Sequence, residues 1–269
     1  MSPSILRTPS PPSRAPDADV ARGQPPERPG TDTLKHMTGT GDQGERARRR
    51  AENRWPASSA ILVAVALNIV GHGDATSAVR LIAAGLTCAL LVPLFIVNPR
   101  RLDTETRWSR GTSIALAVVL ATANQVNVVA VVIALVDGSS DGPLLLLTAL
   151  QVWVTNVVAY ALLFWELDRG GPVARGTLPR NEFPAADFAF PQDTYGDTAA
   201  EVAITSSERA DWRPGFVDYL YLSITNTMAF SPTDTMPLSA RAKLLMVAES
   251  FTGFVLLALV ISRAVNILN

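Results

Sequence analysis

Apolar residues in this chain are gathered into blocks, not spread in the short alternations of a sheet protein. Four blocks cover roughly residues 57–71, 79–97, 112–136 and 143–165, a polar stretch fills 166–213, and a last block runs from 244 to 268. A helix of about 20 apolar residues crosses the hydrocarbon core of a bilayer, so most of these blocks are long enough and the first needs its flanks. An isolated helix satisfies its own backbone hydrogen bonds in lipid, whereas an isolated strand cannot. The pattern predicts an all-α fold, a polytopic helical membrane bundle of five full spans plus one re-entrant or short spanning helix. It divides the chain into a disordered cytoplasmic tail over 1–55, four transmembrane helices over 56–165, a polar loop over 166–213, and a short helix, turn and final span over 214–269.

Composition sharpens this picture. With 48% of its 269 residues hydrophobic and 17% charged, the chain is too unevenly apolar for an ordinary soluble domain. The tail is rich in Pro, Ser, Arg, Gly and Asp without apolar periodicity, and cannot bury enough surface to offset its chain entropy. It lacks the charged and apolar regions of a secretory signal peptide. Met37 opens a second start, so both Met1 and Met37 are candidates for the true one. A formal net charge of −1 speaks against nucleic acid as a partner, because a phosphate-binding surface needs a local excess of Lys and Arg. The single cysteine, Cys88, permits no intrachain disulfide. His36 and His72 lie apart, and no metal site is expected. His72 and Asp74 read as part of a tight Gly-rich turn between two spans. With no nucleophile beside a base and no metal constellation, neither an enzyme nor a cofactor is expected.

Arginine marks the side. Arg46, Arg48, Arg49, Arg50 and Arg54 precede the first span, and Arg100, Arg101, Arg107 and Arg110 lie between the second and third, while the other two short loops carry no Lys or Arg. Positive residues collect on the cytoplasmic side, so the N-terminus is placed inside and the fourth span returns inside. Trp153 and Trp165 fit the aromatic belt at the membrane interface. The 166–213 stretch is long for a structureless loop. Within it, FPAADFAFPQD and residues 198–206 are the pieces able to pack or form a short helix.

Inside the predicted spans, Asn124 and Asn127 share one helix face and Gln151 and Thr155 another, with Gln125 and Asn156 beside them. Uncharged polar groups in lipid commonly hydrogen-bond between helices, worth about 1 kcal/mol or less each. A solute-lined cavity is the alternative. On the last helix, Arg263 reads as snorkelling to an interface, and Glu249 either as interfacial or as a functional group facing the bundle. Asp234, in a turn after Pro232, reads equally as a turn cap and as a pore group.

The C-terminal segment has a further pattern: GFVDYLYLSITNTMAF, then SPTDTMPLSARAK, then a long apolar helix. Over 219–265 it resembles the pore-loop hairpin of bacterial two-helix potassium channels. Ser223 falls in the pore helix, Ser231-Pro232-Thr233 where the filter has Gly-Tyr-Gly, and Asp234, Pro237, Ser239 and Lys243 follow in register. Glu249 and Gly253 fall where inner helices carry an acid and a hinge glycine. The same region, with DYLYLS, SPTD and a terminal AVN, together with the preceding spans, resembles a family of bacterial inner-membrane proteins of unknown function.

The resemblance implies a multi-pass protein of the plasma (inner) membrane that works as a pore-loop-derived channel or transport protein. A homo-oligomer would follow, since one hairpin cannot enclose a pore, with a small ion or solute as the second partner besides the lipid bilayer. Pro232 fixes φ and has no amide hydrogen, so a carbonyl-lined potassium filter cannot form and potassium selectivity is absent. Thr225, Asn226, Thr227, Ser231, Thr233, Asp234 and Glu249 are the pore-like candidates. A non-conducting scaffold or partner-docking protein is the alternative. The Arg count also leaves two topologies open: residues 215–231 cross fully, with both ends inside, or they re-enter from the cytoplasm and the C-terminus lies outside.

Overall fold

A computed structural model describes Glu52, residues 55–70, Gly85, 107–137, 142–229 and 234–268. The tail other than Glu52 and Trp55, the predicted second span other than Gly85, and the filter-like Ser231, Pro232 and Thr233 lie outside the described residues. Five long helices organise the described part: α1 (Trp55–Val70), α2 (Arg107–Asp137), α3 (Gly142–Leu167), α4 (Phe216–Ala229) and α5 (Ala240–Leu268). Of these, α2, α3 and α5 contain stretches long and apolar enough to cross a membrane, and α1 is a shorter apolar helix.

The central element is α3, against which all four of the others pack. Every residue from 155 to 166 is buried, the polar Thr155, Asn156 and Glu166 included, as expected for a helix packed on all sides. The outer helices show the reverse of a soluble pattern. Val126, Val129, Ile133 and Val136 of α2 and Val247, Phe251, Phe254 and Ile261 of α5 point outward, while the same two helices turn Asn124, Asn127 and Glu249 inward.

The stretch expected to be a polar loop is a compact cap over the C-terminal end of α3. Arg169, Gly170 and Gly171 have φ of 50°, 81° and 91°, a left-handed run that stops the helix. A side chain on Gly170 would sit 2.8 Å from Pro184 Cγ, so the stop is also tightly packed. Short helices follow at Pro172–Thr177, Ala200–Ala203 and Ser207–Ala210. A two-residue strand β1 (Phe188–Ala189) pairs antiparallel with β2 (Met236–Pro237). Phe188 and Phe190 are buried and meet Phe164 and Tyr219 edge-on at centroid distances of 5.1 and 5.4 Å. Trp165, expected at a membrane interface, is instead buried, and its indole N–H donates to Glu52 at 2.9 Å.

Charge ties the cap to the helix ends. Arg175 is almost fully buried and donates to the carbonyls of Trp165 and Asp168 at 2.9 and 2.6 Å, Arg241 donates to Leu167 O at 3.1 Å, and Arg110 donates to Gly170 O. These guanidinium groups occupy the negative pole of α3. The Asp168 carboxylate, also buried, accepts from the backbone N–H groups of Asp187 and Phe188 at 2.7 and 3.3 Å and from the Tyr219 hydroxyl at 2.5 Å.

These bonds fix the course of the last two helices. Tyr219, in the first turns of α4, is held at the cap, and Asp187 binds Ser239 and Arg241 at the start of α5. Along the pair, Asn226 meets Ser250 and Thr227 meets Gly253, so α4 and α5 run in the same direction, both away from the cap. The chain therefore descends along α4, returns to the cap by Met236, and descends again as α5. At 14 residues, α4 is about 21 Å long, short of the roughly 30 Å of a hydrocarbon core.

Two outcomes follow for the cap. Replacing Asp168 with alanine leaves two buried backbone amides and the Tyr219 hydroxyl without their acceptor and leaves Arg169 with Asp193 as its one carboxylate, and is expected to cost about 3–5 kcal/mol, read as a lower melting temperature in mild detergent and faster proteolysis within 168–213. Asp193 resists burial, which pushes its carboxyl up, because Arg169, Ser207 and the Phe190 N–H hold it below the usual aspartate range. Its contribution is present above the unfolded value of about 3.9 and is lost as pH falls through the lower folded value. Amide protection factors in the cap, taken relative to the unfolded exchange rate at each pH, should fall below about pH 4, and Asp193→Asn should remove that dependence.

Candidate functional site

Three polar residues of α4 sit at 223, 226 and 227, the 3–4 spacing that puts them on one helix face. Because α4 lies parallel to α5, this face closes on Glu249, whose side chain is fully buried. Asn226 Nδ2 donates to Glu249 Oε2 at 2.7 Å and to Met246 O at 3.0 Å. Thr227 Oγ1 donates to Oε1 at 3.1 Å. Ser223 Oγ touches both Glu249 Oε1 and the Val157 carbonyl of α3, the latter at 2.8 Å. Among the described residues no Lys or Arg forms an ion pair with Glu249. Ser250 Oγ completes the cluster by donating to Asn226 Oδ1 at 2.9 Å.

A second polar group lies between α2, α3 and α5. Asn124 Nδ2 donates to Asn156 Oδ1 at 3.0 Å, and Gln125 Nε2 reaches both Asn156 Oδ1 and the Tyr160 hydroxyl at 3.3 Å. Thr252 Oγ1, on α5 less than one turn below Glu249, reaches Gln125 Oε1 at 3.3 Å. Asn124 Oδ1 and Asn156 Nδ2 make no hydrogen bond among the described residues, leaving an acceptor and a donor for water or a small solute. Four helices thus surround an interior polar band centred on Glu249, the only carboxylate there among the described residues.

The candidate residues divide accordingly. Asn226, Thr227 and Glu249 come together at one site, and Asn124 and Asn156 at the neighbouring one. Asn127 is buried one turn from Asn124. Gln151 contributes only its backbone carbonyl, which accepts from Thr155 at 2.9 Å. Thr225 bonds back to the carbonyls of Tyr221 and Leu222 and stays out of the cluster. Asp234 is exposed in the turn before β2, and Ser231 and Thr233 lie outside the described residues. Sequence reasoning placed Ser223 in a pore helix without giving it a role, and the cap residues Asp168, Arg175 and Tyr219 were missed.

Gly253 sets the spacing of the pair. A Cβ there would lie 2.5 Å from Thr227 Cγ2 and 3.0 Å from Thr227 O, so the two helices approach as closely as a glycine permits, as small residues allow between membrane helices. No family model, curated protein or solved structure matches this chain.

Gly253→Val should push α4 off α5 and cost about 1–3 kcal/mol by overpacking. Ala248→Val, on the exposed side of the same helix, should leave the melting temperature in detergent unchanged.

Proposed function

We propose that this chain is an inner-membrane protein of five spans and one re-entrant helix that moves a small ion or solute, with Glu249 as its proton-binding group. The observation that carries this reading is a carboxyl group buried among three helices without a cation beside it. At membrane depth an ionisable group faces the protein interior and marks an ion or proton pathway more often than a structural bond.

Hydrogen-bond accounting gives the reading chemical form. Ser223 has one hydroxyl hydrogen and two oxygen neighbours, Val157 O and Glu249 Oε1. If the hydroxyl donates to Val157, a proton on Glu249 supplies the other bond. If the proton leaves, Ser223 rotates to donate to the carboxylate and Val157 O keeps only its partner within α3. Glu249, Ser223 and Val157 thus form a two-position switch linking α5, α4 and α3, and proton release would change how the three helices are joined.

The membrane orientation follows from charge. The cap end gathers Arg107, Arg110, Arg169, Arg175, Arg180, Arg213, Arg241 and Lys243, and it is read as cytoplasmic. With α4 and α5 both leaving that end, the re-entrant topology has its C-terminus outside. The parallel course of α4 and α5 also supports the likeness to pore-loop hairpins, here entered from the cytoplasm and without potassium selectivity. A pore built from such hairpins needs several copies, whereas a carrier does not.

A reporter fused after Asn269 should be active only outside the cytoplasm; cytoplasmic activity removes the re-entrant reading. In liposomes under an imposed membrane potential, with a trapped pH dye, the wild-type protein should pass protons with or without a co-solute. Glu249→Gln should abolish that movement while melting within a few degrees of wild type. Silence of the wild type across protons, small ions and solutes would leave the non-conducting scaffold, with Glu249 as a lock between helices.

A further inference from the structure

A groove of about 420 Å³ runs beside α5, floored by Asn226 and Ser250 and walled by Met246, Phe251 and Phe254, with Lys243 at its cap end. We propose that it holds one anionic phospholipid, the phosphate paired with Lys243 and an acyl chain laid along Met246, Phe251 and Phe254.

Three observations select this occupant. Lys243 is exposed and its side chain has no acidic partner among the described residues, whereas its neighbour Arg241 is engaged by the Asp187 carboxylate and Leu167 O. The free positive charge therefore belongs to Lys243, in the first turn of α5. From Lys243 to Phe254 the helix advances about 16 Å, and along that distance the walls change from a cation to exposed aromatic rings. This gradient matches an amphiphile lying with its head at the cap.

The floor gives no competing polar recognition. Both amide hydrogens of Asn226 are donated, to Met246 O and Glu249, and its side-chain oxygen accepts from Ser250. A soluble anion would gain nothing from the phenylalanines. A second copy packed face to face would bring no carboxylate to Lys243, since the exposed residues of α5 include no acid. Basic pockets between helices on the cytoplasmic side are where anionic headgroups bind.

The inference rests on α5 lying in a bilayer but not on the role of Glu249. Its test is native mass spectrometry of the detergent-extracted full chain offered phosphatidylglycerol and phosphatidylcholine in equal amounts, with melting temperature followed in parallel. Wild type should retain one phosphatidylglycerol in preference to phosphatidylcholine and be stabilised by it. Lys243→Gln should lower that preference about fivefold without changing the lipid-free melting temperature. Lys243→Arg and Glu249→Gln should bind as wild type, and Phe251→Ala should weaken retention of both lipids. Equal retention of the two lipids overturns the proposal, as does undiminished preference in Lys243→Gln. Stabilisation by inorganic phosphate alone, or a lipid-free dimer that excludes phosphatidylglycerol, also overturns it.

Discussion

The buried charge at the C-terminal end of α3 is the constraint on which the rest of this structure depends. A helix end leaves carbonyls without partners, and here those of Trp165 and Asp168 lie buried beneath a folded cap. Arg175, Arg241 and Arg110 come from three different parts of the chain to meet them. Arg175 also lies over the Tyr219 ring at 5.0 Å, where the ring face attracts its charge. Remove the helix end and Arg175 has no reason to be buried. Remove the arginines and the cap has nothing to close on.

From that end the geometry of the last two helices follows. Asp168 takes Tyr219, which sets the height of α4. The backbone N–H of Asp187 bonds to Asp168 as well, and the Asp187 carboxylate takes Ser239 and Arg241, which sets the height of α5. Because both helices are pinned at one level by the same group of charges, the segment between them must return to the cap. The N-terminal side joins the same assembly through Glu52, which accepts from Trp165 and from the Phe216 N–H at the start of α4. Burial pushes the Glu52 carboxyl above its ordinary range, against the charge of Arg175 and these two hydrogen bonds. A carboxyl at the N-terminal pole of α4 is favourably placed for the helix dipole.

How much of this could be read beforehand depended on periodicity. The helical character of the described residues and three apolar helices of spanning length were visible, because an apolar block leaves a signal in every residue. The shared face of Asn124 and Asn127 was visible for the same reason. The cap was not, since Asp168, Arg169 and Arg175 are residue types that ordinarily stay in water, and only their mutual pairing buries them. The FPAADFAFPQD segment and residues 198–206 were the clues to its core: Phe188 and Phe190 are buried, and Ala200–Ala203 is a short helix with Ala203 buried. Trp165 read as an interface anchor because nothing in its neighbourhood announces that Glu52, far away in sequence, will take its N–H. Glu249 was ambiguous because its environment is made by α4, and a parallel partner cannot be inferred from α5 alone. The 3–4 spacing of Ser223, Asn226 and Thr227 carried the missing information. Gln151 and Thr225 had suitable chemistry on faces that the packing turned elsewhere.

The parallel hairpin also bears on the sign of any charge that could rest at Glu249. Had α4 run antiparallel to α5, the positive N-terminal pole of α4 would lie deep in the bundle. Running parallel, α4 carries its C-terminal, negative pole inward, and Ser223, Asn226 and Thr227 on its second half surround the carboxyl. Ser250 Oγ lies 3.1 Å from Asn226 O. A carboxylate beside a helix C-terminus concentrates negative potential, and low dielectric surroundings strengthen it. Such a site repels anions and is neutralised best by a proton or a small cation. The direction of one short helix, set by charges at the far end of the fold, thereby sets the sign of the potential around Glu249.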